Sequence, residues 1–130
     1  MTDGLSDEAA SLLSGERLVA HLATCEDGRP HVAPVWYRCV DDAIEIVTTG
    51  RKLERLRTNP RVALSIERGE ESRPDWTVTV LGTATVIDDE DASQAANRRM
   101  NRKYGVSEGM WEEENVLVRV RVGSASVRTY

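Results

Sequence analysis

The chain has 130 residues, of which 40% are hydrophobic and 30% charged, and a formal net charge of −5. That length fits a single domain over residues 1–130, large enough to bury about two thirds of its unfolded surface around one core. An acidic balance argues against a binder of nucleic-acid backbone, which carries a basic surplus, and no apolar run approaches the ~18 residues of a membrane span. The first residues, MTDGLSDEAASLL, are acidic and lack the basic-then-apolar layout of a secretion signal, so a cytoplasmic location is the default expectation. Two cysteines and two histidines form no metal-ligand spacing.

In chain order, residues 6–13 read as a short helix with Ser6 as N-cap, Asp7 and Glu8 in the first turn and Gly15 closing it. A strand from about Arg17 to Cys25 runs into Asp27-Gly28, a dipeptide suited to a type I′ turn because both central residues need positive φ. That turn sets Glu26 opposite Arg29. A second hairpin is expected at Asp41-Asp42, pairing Arg38 with Glu45, Tyr37 with Ile46, and Pro34 and Val35 with Thr49 and Thr48. From Gly50 to Thr58, Leu53 and Leu56 form a narrow inward stripe on a helix that Pro60 cannot continue, with Arg55 and Arg57 towards its C-terminal end.

Val62 to Glu67 alternates as a strand, and the polar RGEESRPD reads as a loop. Trp76 to Ile87 is a long strand whose Gly82 suits a bend or bulge at a barrel corner. Residues 89–104 give the clearest helix, acidic at its start, basic at its end and stopped by Gly105. Its thin apolar content (Ala92, Ala95, Ala96, Met100) marks a surface helix. A connector containing Trp111 leads to a strand with Val116, Val118, Val120 and Val122 on one face, and a last strand spans Ser124 to Thr129. Tight hairpins and a bent long strand predict a mainly β protein with peripheral helices, built as an antiparallel barrel.

Arg51 and Lys52 stand in a first helical turn, where the helix dipole opposes cations by a few tenths to ~1 kcal/mol each. An anion would remove the conflict, because the free backbone N–H groups, the Thr48 and Thr49 hydroxyls, Arg51 and Lys52 can converge on a phosphate. The competing reading is a solvated basic patch. Pro34 lacks an N–H, so its strand is either locally opened, with backbone free for a ligand, or a plain edge blunted by proline. His31 has no recognisable catalytic partner, and His21, in an apolar strand, reads as a core residue. Cys25 and Cys39 fall roughly 30 Å apart at ~3.3 Å per residue, too far for a disulfide. Trp36, Tyr37, Trp76 and Trp111 read as core or interface aromatics. With no P-loop, dinucleotide fingerprint or triad motif, no catalytic residue is assigned.

Taken together, GRPHVAPVWY, IVTTGRKLERLRTNPRVAL and LGTATV resemble the pyridoxamine 5′-phosphate oxidase-like family of FMN-binding split β-barrels, which includes FMN- and deazaflavin-dependent oxidoreductases. The resemblance implies an antiparallel split β-barrel of the FMN-binding type, a homodimer with the cofactor at the subunit interface, and a small-molecule substrate. It also implies that backbone around Ala33, Pro34, Val35 and Trp36 faces the isoalloxazine ring. Thr48, Arg51 and Lys52 would hold the phosphate, beside the Thr49 of the anion-site reading, and the region of Thr77 would approach from the other subunit; Trp111 and Arg119 are candidates to close the site, neither matched to a family motif. The expected function is an FMN-dependent oxidoreductase. Alternatives are a deazaflavin-dependent reductase, whose acidic tail would meet Arg55 and Arg57, and a non-catalytic flavin-binding or redox-sensing module. A barrel for single-stranded nucleic acid is disfavoured by the acidic charge. Ala33 stands where the namesake oxidases carry an arginine, and their C-terminal Arg-Leu-type motif is missing, so vitamin B6 oxidation is not expected.

Overall fold

The computed structural model describes residues 4–14 and 17–130. Gly15, expected to close the first helix, lies outside them. In order the elements are α1 (Asp7–Leu13), β1 (Ala20–Glu26), β2 (Arg29–Val35), β3 (Arg38–Val40), β4 (Ala43–Thr48), α2 (Gly50–Thr58), β5 (Arg61–Glu70), β6 (Arg73–Ile87), α3 (Glu90–Tyr104) and β7 (Val116–Thr129). The strands form one antiparallel sheet in the order β2-β1-β5-β6-β7-β4-β3. Its first and last strands are joined by Trp36 and Tyr37 alone, and three Cα steps reach about 11 Å at most. The sheet therefore has to curl until its two edges nearly meet, which is the split β-barrel.

Local chemistry accounts for both early hairpins. Asp27 and Gly28 take φ of 51° and 75°, as a type I′ turn demands, and Glu26 faces Arg29. At the second turn Asp41 has φ of 55°, and Arg38 faces Glu45. Glu45 is buried between two arginines, Arg38 at 3.4 Å on one neighbouring strand and Arg119 at 3.2 Å on the other.

Beyond Arg38 the expected hairpin pairing fails. Pro34 and Val35 lie opposite His21 and Ala20 of β1, while Ile46 and Thr48 pair with Val118 and Val116 of β7. The strand could not continue, because at Trp36 the chain steps across the split from one sheet edge to the other.

Three further expectations are corrected. The RGEESRPD segment is no loop: β5 and β6 continue as a hairpin arm, with Gly69 opposite Pro74, a bulge at Arg68/Gly69 and Glu71 turning at φ of 56°. An unbroken run of polar side chains suits an arm solvated on both faces. The two C-terminal strands are one, β7, because β6 backs both halves and the break at Gly82 is absorbed as a bulge. His21 is exposed on the outer face of β1, since the core takes its neighbours Ala20 and Leu22.

The core lies inside the curl. Leu22, Leu64, Ile66, Val78, Val80, Ile44, Ile46, Val118 and Val120 point inward, and Leu13, Tyr37 and Leu56 close it. Each such aliphatic side chain contributes roughly 1.5–3 kcal/mol when fully buried. Gly82 permits the corner: a Cβ there would stand 2.5 Å from the Arg121 carbonyl oxygen and 2.8 Å from Val120 Cγ1. Gly82→Ala is expected to cost about 1–3 kcal/mol, read as a lower urea midpoint at unchanged slope.

The helix spanning residues 90–104 is not merely superficial. Ser93, Ala96, Asn97, Met100 and Asn101 are all buried, so α3 packs a half-polar face on β7 and β4.

Candidate functional site

Beside the split opens a cavity of about 430 Å³, within the range of sites for drug-sized ligands. Pro34, Val35 and Trp36 at the end of β2 form one wall, and Val47 and Thr48 at the end of β4 another. Lys52 comes from the first turn of α2, Val19 from the approach to β1, and Asn101, Trp111 and Asn115 from α3 and the segment after it. β2 is an edge strand, so part of its backbone faces away from β1 and is free for a ligand.

The α2 end of the cavity differs from the other helix starts of the fold. α1 and α3 carry side-chain N-caps, Ser6 and Asp89, which accept from Ala9 N and Ala92 N, and both have acids in the first turn. α2 has neither: Thr49 at its N-cap makes no side-chain capping bond, and its first turn contains no acid. Gly50 takes φ of 65° immediately before helical Arg51. That change of hand turns successive N–H groups to one side, the concavity that receives anions in phosphate-binding loops. Lys52 lines the cavity next to these donors, with the buried Thr48 across from it.

The residues expected from the sequence divide accordingly. Pro34, Val35, Trp36, Thr48 and Lys52 line the cavity together. Thr49 and Arg51 are exposed at its rim, and the half-buried Ala33 is one residue removed along β2. Thr77 does not line the cavity of its own chain; its hydroxyl lies 3.5 Å from that of Tyr130. Arg57 is engaged by Asp88 through two bonds of 2.6 and 2.8 Å, while Arg55 has a buried Nε without a hydrogen-bond partner.

Sequence reasoning did not place Val19, Val47, Asn101 or Asn115 here; of the two residues it offered to close the site, Trp111 lines the cavity while Arg119 pairs with Glu45. The available signal was Asn97 and Asn101, one turn apart among the inward positions of a helix poor in apolar residues. Asn97 Nδ2 donates to the Met110 carbonyl at 2.7 Å, and Asn101 Nδ2 donates to the same carbonyl at 2.9 Å and to Glu108 O at 3.0 Å. Asn115 Nδ2 donates to Asn97 Oδ1 at 2.9 Å. The segment carrying Trp111 is thereby tied down on α3.

Aromatic rings complete the wall. Trp36 stacks on Tyr104 with centroids 4.5 Å apart and planes at 3°, and meets Trp111 edge-on at 6.0 Å and 70°. Behind them Lys103 Nζ donates to Tyr37 O at 2.7 Å and sits 4.1 Å from the Tyr37 ring centroid. Burial holds the Lys103 ammonium below its ordinary range and pushes the Tyr104 phenol above its own. Burial also raises the Cys39 thiol, an effect the adjacent Lys103 partly offsets. Both cysteines are free. Among the described residues no group of three or more His, Cys, Asp or Glu could hold a metal ion, and no helix is long and apolar enough to cross a membrane.

These features define a split β-barrel with an uncapped, basic helix start opening into an aromatic-walled cavity. The chain belongs to the pyridoxamine 5′-phosphate oxidase family, whose sequence pattern matches residues 6–129. Among solved structures it is similar to a protein named F420 Reductase, at 24% identity and a TM-score of 0.79, covering 94% of this chain and 98% of the other. A FAD-binding protein from Mesorhizobium loti is 25% identical with a TM-score of 0.75, over 97% of this chain and 96% of that one. A conserved hypothetical protein from Mycobacterium tuberculosis is 24% identical with a TM-score of 0.80, over 99% and 88% respectively. None of the curated proteins compared with the chain matches it.

Proposed function

We propose that the chain is an FMN-dependent oxidoreductase acting on a small-molecule substrate. The observation that carries this reading is the start of α2, uncapped and free of acids, whose Lys52 shares one cavity with Trp36. The residues fit the cofactor: an anion site at one end, an apolar slot at the other, and free strand backbone alongside. When bound, the flavin supplies the hydride chemistry, so the protein has only to position it and limit solvent access. Lys52, the N–H groups of Arg51 and Lys52 and the Thr48 hydroxyl would hold the phosphate. Pro34, Val35, Val47 and Trp36 would shield the ring from water.

The cofactor site is read as lying in a homodimer. Across the outer face of β2, β1, β5, β6 and β7 run Val32, Ala23, Ala63, Leu81 and Ser124, and beside them Pro34, His21, Ser65, Thr79 and Ser126. These ten positions carry no Asp, Glu, Lys or Arg, and Val32 and Leu81 are 70% and 56% exposed. A face so poor in charge, with apolar residues in water, supports burial against a second copy. Pro34 borders both this face and the cavity, and Thr77 lies one strand-step beyond Thr79, where a partner's residue could reach the cofactor.

Arg55 favours a second reading. Its partnerless buried Nε could serve the acidic tail of a deazaflavin, whereas Arg57 is already held by Asp88. The test is a visible spectrum of the purified protein, followed by titration with FMN and with the deazaflavin while thermal stability is recorded. Yellow protein, or stabilisation by FMN in preference to the deazaflavin, is the expected result. A colourless protein stabilised by neither defeats the cofactor reading.

A further inference from the structure

We infer that Trp111 is the substrate platform of this site and that it receives a flat aromatic substrate, neutral or cationic. The inference rests on the reading that the cavity holds a flavin, and it concerns the wall that Trp111 contributes. Trp111 is 46% exposed although tryptophan is the largest apolar side chain, and it lines the cavity. Its φ is 59°, a left-handed conformation that is rare and costly for a bulky residue. A tryptophan serving only as filler would be covered and unstrained.

The fold holds it there firmly. The Met110 carbonyl just before it takes bonds from two asparagines that are 0% and 1% exposed, and its own carbonyl accepts from Asn115 N at 3.0 Å. Buried polar groups fixing a strained, exposed aromatic at a cavity wall are what a ligand-facing position requires. Trp36, backed by Tyr104, stands at 70° to Trp111, so the two indoles make a corner in which a planar ring can lie on the open face of Trp111.

Charge selects the class of ring. Among the described residues lining the cavity Lys52 is the cation, and it comes from α2; from α3 and the segment after it come Asn101 and Asn115, with Trp111. Asn115 also borders a neighbouring groove of about 490 Å³ lined by Asp88, Asp89, Glu90, Glu112 and Glu113. Arg57 neutralises Asp88 and Arg98 neutralises Glu112, which leaves Asp89, Glu90 and Glu113 to set a negative field beside the platform. An anionic substrate is repelled from that side, and a cation is drawn to the indole face as well.

Three probes with one ring system and different charges test the inference: acridone (neutral), proflavine (cationic) and acridine-9-carboxylate (anionic). Their dissociation constants are measured by calorimetry on FMN-saturated protein and on the cofactor-free chain, for wild type, Trp111→Ala and Trp111→Phe. Acridone and proflavine are expected to bind the wild type at least tenfold more tightly than the carboxylate. Trp111→Ala should weaken both about tenfold or more, and Trp111→Phe should recover most of the loss. Unchanged binding of acridone and proflavine to Trp111→Ala overturns the inference, and so does a carboxylate that binds as tightly as acridone. A wild type that fails to bind FMN instead overturns the cofactor reading, while the dependence of probe binding on Trp111 in the cofactor-free chain still decides this one.

Discussion

Replacing Lys52 with alanine is expected to lower FMN affinity by one to two orders of magnitude, and adding Arg51→Ala should extend the loss towards 10²–10⁴-fold. Charge-assisted hydrogen bonds contribute roughly 1.5–3 kcal/mol each, which converts to those factors. The structure ranks the two cations: Lys52 lines the cavity and Arg51 is exposed outside its lining, so Lys52→Ala should cost more than Arg51→Ala alone. Stability of the cofactor-free double variant should move upward, by a few tenths to ~2 kcal/mol, because both cations oppose the dipole at the start of α2. Opposite signs for binding and stability separate a ligand site from a structural one. Fluorescence titration with FMN and urea unfolding of the cofactor-free chain measure the two quantities. FMN affinity unchanged in the double variant would remove the phosphate assignment.

The second large effect is expected in the core of α3. Asn97→Ala with Asn101→Ala leaves the Met110 and Glu108 carbonyls and the Asn115 amide without these partners. A buried polar group left unsatisfied costs about 1–3 kcal/mol, so the pair should cost roughly 3–6 kcal/mol. Because the lost bonds hold the segment from Glu108 to Asn115, the change should also release Trp111 from its contact with Trp36. Tryptophan emission shifted to the red under native conditions, alongside a lower urea midpoint, is the expected combination. A lower midpoint with an unaltered native spectrum would show that α3 is stabilised by these asparagines without positioning Trp111 through them. Each single variant should lose less than half the total, since Met110 O retains one donor in either case.

Much of the fold was legible because the deciding interactions are local. Asp27-Gly28 specifies a turn whose backbone hand few other dipeptides tolerate, and the opposite charges of Glu26 and Arg29, or of Arg38 and Glu45, then have only one register to occupy. The limits of α2 were readable from Gly50, Leu53, Leu56 and Pro60, and so were the two cations of its first turn, whereas the missing side-chain cap at Thr49 was not. The β5–β6 arm was missed because its side chains are polar on both faces and show no alternation. β7 appeared as two strands because continuity across Gly123 depends on backing by β6 rather than on its own pattern.

The sequence by itself determined the two tight hairpin turns and the basic helix start, since each depends on backbone preferences and contacts within a few residues. Tertiary structure alone decided that Pro34 and Val35 pair with β1 rather than with the threonines ahead of α2, and yet meet Thr48 and Lys52 across a cavity. It also decided that residues 101, 111 and 115 belong to the same site, with Asn97 holding their segment in place. The reason is the closure of the barrel: β2 and β3 occupy opposite ends of one sheet, and only its curl, with α3 packed outside it, brings four distant segments to a common wall.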